Sequence, residues 1–367
     1  MQFEVSKTIL LKALSDVNGA VEKKNTIPVL QNIKIEAKDN KVSLFATDMD
    51  ILITTYFDCQ ISTEGSTTVL AQIFFDIIRK IPDGIININL ENENLLQIKL
   101  GKSRYKLSCI DPAEFPIISS EELTDVIELD AQILAKMISK TQFAISNDET
   151  RYYLNGLFFH SLQENDNHYL RTVATDGHRL AMSSLFTGIA KDFGIIVPKK
   201  TVGEIKRIIE TTTKKVSLAV SRVKIKVVCD KTTIVSKLID GEFPPYDKVL
   251  PKNNFNIVNI KRKDLFDCLD RISILANDKH RSVKIKIFEN KFCLQVGDDD
   301  NPLAYEELDI IYSDNKIESG FNSKYLLEII SQVEKEEVVI KFNDGFSPAL
   351  VESPDSNSVF VIMPVRI

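Results

Sequence analysis

At ~100–200 residues per domain, 367 residues allow two to four domains, and 44% apolar side chains supply buried cores, which excludes a disordered chain. With 46 Lys+Arg against 52 Asp+Glu the net charge is -6, so nothing in the chain as a whole draws it to nucleic acid or acidic membranes. The opening residues lack the basic head and apolar stretch of a leader, no run approaches the ~18 apolar residues of a spanning helix, and a cytoplasmic protein is expected.

In chain order, the first predicted helix lies near 6–18, where Leu10, Leu14 and Val17 recur at helical spacing. A second follows near 70–80, and strand-like alternation fills the intervals. The same order returns twice, with helices near 130–142 and 199–210, then near 261–273 and 322–332. Aligning the second helices puts Asp76, Glu204 and Glu328 in register, at spacings of 128 and 124 residues. Thr47-Asp48 and Thr175-Asp176 share the 128-residue offset, and the turn Ile110-Asp111-Pro112-Ala113-Glu114-Phe115-Pro116 returns one residue shorter as Ile239-Asp240-Gly241-Glu242-Phe243-Pro244. The expected fold class is α+β: three similar domains, each with two helices packed on antiparallel sheets. Their expected bounds are 1–122, 123–251 and 252–367, with links at 119–124 and 250–254.

Basic residues outnumber acidic ones in the six helix windows although the chain is acidic overall. Solvated helix faces account for that, and so does a face that holds phosphates without reading bases. The five cysteines are scattered with no CxxC pair, and the four histidines show no HxxxH or HExxH spacing, so no metal and no cofactor is expected. Asp176, His178 and Arg179 beside Gly177 could form an acid/base cluster, but no nucleophile elbow accompanies them and Asp-Gly is first a turn signal. Asp298-Asp299-Asp300 could hold Mg2+ for nucleic-acid chemistry or lie in a solvated loop. The Arg151-Tyr152-Tyr153 group suits base stacking or packing, and the apolar tail 359–367 suits a closing strand or an apolar groove.

Taken together and in order, Thr26-Ile-Pro-Val-Leu30, Phe74-Phe-Asp-Ile77, Arg151-Tyr-Tyr-Leu-Asn-Gly156, Thr172-Val-Ala-Thr-Asp-Gly-His-Arg-Leu-Ala181, Ser236-Lys-Leu-Ile-Asp-Gly-Glu-Phe-Pro244 and Met363-Pro-Val-Arg-Ile367 resemble the bacterial DNA polymerase III beta subunit family, the replicative sliding clamps. The resemblance implies a non-enzymatic homodimer closing a six-domain ring around duplex DNA, without sequence preference. It also implies a clamp loader complex, the DNA polymerase III alpha subunit and other clamp-binding-motif proteins as partners, and no membrane. By the same resemblance Lys12, Lys24, Arg79, Lys80, Lys136, Lys199 and Lys200 face DNA, with Tyr152 and Tyr153 near an emerging strand.

The implied partner-peptide cleft comprises Leu154, Thr175, Gly177, His178, Arg179, Leu180, Pro244, Lys248, Val249, Asn322, Tyr325, Phe346 and the tail residues Val361, Ile362, Met363, Pro364, Val365 and Arg366. Lys248 stands where the family often has Arg, Phe346 is bulkier than the frequent Val, and Val365 and Ile367 replace Met and Leu, which bears on peptide preference. The implied dimer seam joins Lys102, Arg104, Lys106 and Leu107 to Ile274 and Leu275 with Asp298, Asp300, Glu306 and Glu307. A metal-dependent nucleic-acid enzyme and a peptide-binding scaffold without DNA are the alternatives from other classes.

Overall fold

The computed structural model describes residues 1–22, 26–92, 94–119, 123, 126–188, 192–276, 282–297, 302–352 and 357–366. They group into two compact units, 1–135 with 200–238 and 136–199 with 239–367. The predicted helices are present: α1 (Lys7–Val17), α2 (Ala71–Lys80), α3 (Ala131–Thr141), α4 (Lys199–Ile209), α5 (Arg262–Ser273) and α6 (Ser323–Gln332). Two of their starts are fixed by side-chain caps. Ser6 accepts from the Ile9 amide ahead of α1, and Asn322 accepts from the Lys324 and Tyr325 amides ahead of α6. Arg79 and Lys80 close α2, and Lys206 and Arg207 close α4, where cations complement the helix dipole.

In the first unit a 13-stranded antiparallel sheet carries the fold. Leu10, Leu14 and Val17 of α1 are buried, and the helix lies against α2 and the strand Ile51–Asp58. That strand also pairs with Thr232–Lys237, Thr232 opposite Thr55, so the sheet runs on from one sequence repeat into the next. The strand Ser103–Ile110 pairs along Leu95–Leu100, but on its other side only Cys109 and Ile110 meet a partner.

The second unit has an eight-stranded and a four-stranded antiparallel sheet. Tail strand Ser358–Ile362 lies between Arg179–Phe186 and Ala349–Glu352, with Leu180 opposite Val361. α5 and α6 pack on each other, and α5 reaches the strand Pro302–Asp309, the outer edge of the four-stranded sheet. Among the described residues no helix is long and apolar enough to cross a membrane.

Candidate functional sites

The repeated turns do the same work in both units. Asp48 Oδ1 accepts the Asp50 and Ile51 amides at 2.9 and 2.8 Å, and Asp176 Oδ1 accepts those of His178 and Arg179 at 2.9 and 3.0 Å. The position after each aspartate needs left-handed backbone, φ +77° at Met49 and +90° at Gly177. At Gly177 a Cβ would also stand 2.7 Å from an Arg151 side-chain nitrogen, which would have to shift, so glycine is favoured there. The Phe-Pro turns each seat a phenylalanine: Phe115 packs on Val29 and Leu52, and Phe243 joins the cluster of Leu154, Leu180, Tyr246 and Val361.

The predicted cleft residues all belong to the second unit. Leu154, Leu180, Val361 and Ile362 are buried. The tail is tied down by Met363 N–H to the His178 carbonyl (2.8 Å) and Val365 N–H to the Gly320 carbonyl (2.8 Å). Beside it Gly320, Gly345, Phe346, Pro364, Val365 and Arg366 line a cavity of about 900 Å3. Phe346 is 93% exposed, on a turn where Asp344 accepts the Phe346 and Ser347 amides and Ser319 Oγ donates to the Gly345 carbonyl. Val249, Lys248, Gly177 and His178 are exposed too, Thr175 and Pro244 half-buried, and the Tyr325 ring lies near-parallel to His178 with centroids 6.4 Å apart.

Arg179 departs from expectation. It is buried rather than lining open space. Sequence reasoning also missed the network beneath the exposed Lys248–Val249 turn. Tyr246 Oη accepts from Arg171 (3.2 Å) and bonds His160 Nε2 (2.9 Å), while Arg171 also donates to Ser184 Oγ and Glu164. Burial, with Arg171 adding to it, holds the His160 imidazole below its ordinary pKa, and with Nδ1–H donating to the Ser161 carbonyl (3.1 Å) the neutral ring accepts a hydrogen bond from the Tyr246 hydroxyl at Nε2. Phe158 stacks between His160 and Phe243 at 4.7 and 4.8 Å.

The expected DNA-facing side chains fall into two groups. Lys12, Arg79, Lys80, Lys199 and Tyr152 are exposed, and Tyr153 packs edge-on against Tyr152 with centroids 5.8 Å apart. Arg79 pairs with Asp76 at 2.7 Å, and Lys199 donates to Asn147 Oδ1 at 2.6 Å. Lys200 is committed to the buried carboxylate of Asp48 (2.6 Å) and to the Ala20 carbonyl, and Lys136 to Glu334 (2.5 Å), where Lys136 and Lys140 hold the carboxyl below its usual range. Lys24 lies outside the described residues.

Of the seam residues, Arg104 and Lys106 are exposed along the half-free strand Ser103–Ile110, with Lys102 in the turn before it and Leu107 half-buried. Ile274 (79% exposed) and Leu275 follow α5, and Leu303 and Tyr305 project from the edge strand Pro302–Asp309. Glu306 is already matched within the chain by Arg271 (2.8 Å) and Glu307 by Lys291 (2.7 Å), and both carboxyls sit below their ordinary pKa for that reason. Both acids are thus already paired within the chain. Lys106 is likewise paired, with Glu91 at 2.9 Å. Asp298, Asp300 and Ile367 lie outside the described residues, and among the described residues no three His, Cys, Asp or Glu gather as a metal site would require.

Three family profiles tile the chain. The DNA polymerase III beta subunit N-terminal domain matches residues 1–119, the central domain 128–245 and the C-terminal domain 247–366. The chain belongs to the DNA polymerase III beta subunit family. It is 37% identical to the Caulobacter vibrioides beta sliding clamp over 372 residues and 34% identical to that of Escherichia coli K12 over 371, with 100% of both chains covered in each case. It superposes on the Caulobacter crescentus beta sliding clamp with a TM-score of 0.95 at 37% identity, covering 100% of this chain and 99% of the other. Against the Bartonella birtlesii DnaN sliding clamp bound to griselimycin the TM-score is 0.96 at 36% identity, with full coverage of both. The beta subunit family has a three-domain sliding-clamp fold of helices and antiparallel sheets, and it is a non-catalytic processivity factor in DNA replication. The acid/base reading of Asp176, His178 and Arg179 therefore gives way to a structural one: Asp176 shapes a turn and pairs with Arg179 at 3.1 Å.

Proposed function

We propose that two copies of this chain close head to tail into a ring of six domains, bounded in each chain at 1–122, 123–251 and 252–367. The ring encircles duplex DNA and tethers the DNA polymerase III alpha subunit and other partners by short peptides docked in the cleft. A clamp loader complex opens and places it, in the cytoplasm. The observation that carries this reading is a pair of under-used strand edges, one in each unit, on a chain similar to sliding clamps from end to end. Unpaired edges invite pairing with another chain, and a closed ring satisfies both. Because Glu306 and Glu307 are matched within the chain, the seam draws its strength from Ile274, Leu275, Leu303 and Tyr305 more than from charge.

Retention then rests on topology, and weak, exposed cations suffice inside the ring because phosphate contacts carry no base readout. Lys12, Arg79, Lys80 and Lys199 are exposed candidates, whereas Lys200→Glu would set one carboxylate against Asp48. The test is retention on nicked circular DNA, loaded with the cognate loader and ATP at a salt concentration that strips ordinary phosphate binding. Loss only on linearising the circle is the expected result; equal loss from both forms, after a working loading control, would leave a peptide-binding scaffold. Ile274→Ala with Leu275→Ala is expected to sediment as a monomer, and a persistent dimer would remove the seam.

A further inference from the structure

Arg179 begins the strand Arg179–Phe186 beside the cleft, yet it is only 8% exposed. Each of its nitrogens is engaged: Nε with Asp176 Oδ2 (3.1 Å), Nη1 with Glu328, and Nη2 with the Phe143 carbonyl (2.8 Å). Its flat faces are used as well, lying 4.2 Å from the centroid of Tyr325 and 5.1 Å from that of Phe143. Tyr325 in turn faces His178, so one guanidinium links the Asp176–His178 turn, the first turn of α6 and the aromatic wall above them. The corresponding residue 128 positions earlier is Ile51, buried, with Lys200 supplying the cation for Asp48 instead.

We infer that Arg179 is a positioning residue for peptide docking: it does not touch the docked peptide but holds Tyr325 and the Gly177–His178 turn as a preformed wall. The inference deepens, and rests on, the peptide-cleft reading above. A wall fixed before binding spares the docking peptide the ordering of that wall. The demand for a planar, forked cation explains why lysine would not serve, since an ammonium offers neither the face for Tyr325 nor three divergent nitrogens.

The test is a double-mutant cycle on the full chain, read as Kd for a fluorescent peptide ending in Leu-Phe. Arg179→Lys and Tyr325→Leu are each expected to weaken binding about tenfold, and the double variant no more than the worse single one. Additive losses would mean that Arg179 meets the peptide directly, and wild-type affinity in either single variant would equally overturn the inference. Tyr325→Leu keeps the test alive if Arg179→Lys misfolds. If the wild-type chain binds no peptide, or binds it as well after deletion of residues 363–367, the cleft reading itself fails. Tail-dependent binding that is indifferent to Arg179→Lys removes Arg179 alone.

Discussion

The turns at Thr47–Ile51 and Thr175–Arg179 are copies of one device, an aspartate accepting two amides beside a left-handed residue, but their surroundings have diverged. In the first unit Lys200 comes from α4 to cover Asp48, Ile51 is buried, and Asn32 bonds Thr68 beneath. In the second, Arg179 fills the corresponding space, and His160, Tyr246 and Arg171 stand where Glu36, Ile118 and Ser43 stand in the first. One copy is a plain structural joint; the other is loaded with aromatic and titratable groups. The frame is shared, and a few positions set the two copies apart.

Deleting residues 363–367 should separate the two copies most sharply. Peptide binding, expected in the micromolar range, should fall by more than ~100-fold, because Met363 and Val365 tie the cavity wall to His178 and Gly320. Fluorescence anisotropy checks it, and unchanged binding would take the cleft off the tail. Gly177→Ala comes next, with a cost of about 1–2 kcal/mol from the left-handed backbone and a displaced Arg151 side chain besides; calorimetry should show a lowered Tm and anisotropy a weaker peptide complex. Lys200→Ala should cost about 1 kcal/mol by leaving the Asp48 carboxylate one partner short and, unlike Gly177→Ala, should spare peptide affinity.

Acid should distinguish the copies too. His160 has a folded pKa below its unfolded value, so its contribution is full above about pH 6.5 and declines as pH falls through the folded value. Thermal melts of wild type should therefore weaken below that pH more steeply than those of His160→Gln, while equal slopes would show that the network does not carry the acid response. The smallest effect is expected at Met49, where Met49→Gly relieves the left-handed strain but frees the unfolded chain. A net gain under ~1 kcal/mol should appear as a slightly raised Tm.

Much of this was legible in the sequence because its causes are local. The apolar stripe of α1 and the caps Ser6 and Asn322 place helix ends within a residue of expectation, and Asp-Gly marked the 176–177 turn. What stayed hidden depends on partners far apart in the chain. Alternation announces strands at Ile51–Asp58 and Thr232–Lys237 but not that they pair, and nothing near Arg179 names Glu328 as its acceptor. The same blindness made Glu306, Glu307, Lys136 and Lys200 read as free surface charge, when Arg271, Lys291, Glu334 and Asp48 already answer them. His160 and Tyr246 lie 86 residues apart and carried no signal beyond being polar letters in apolar surroundings.

The five cysteines have a consequence for handling the molecule. Burial raises the thiol pKa of Cys59, Cys109, Cys229, Cys268 and Cys293 alike, so little thiolate is present near neutral pH. A cysteine introduced at an exposed position, such as Val223, should outpace all five in maleimide coupling. Site-specific fluorophores or biotin handles can then be placed on the otherwise native chain for single-molecule tracking.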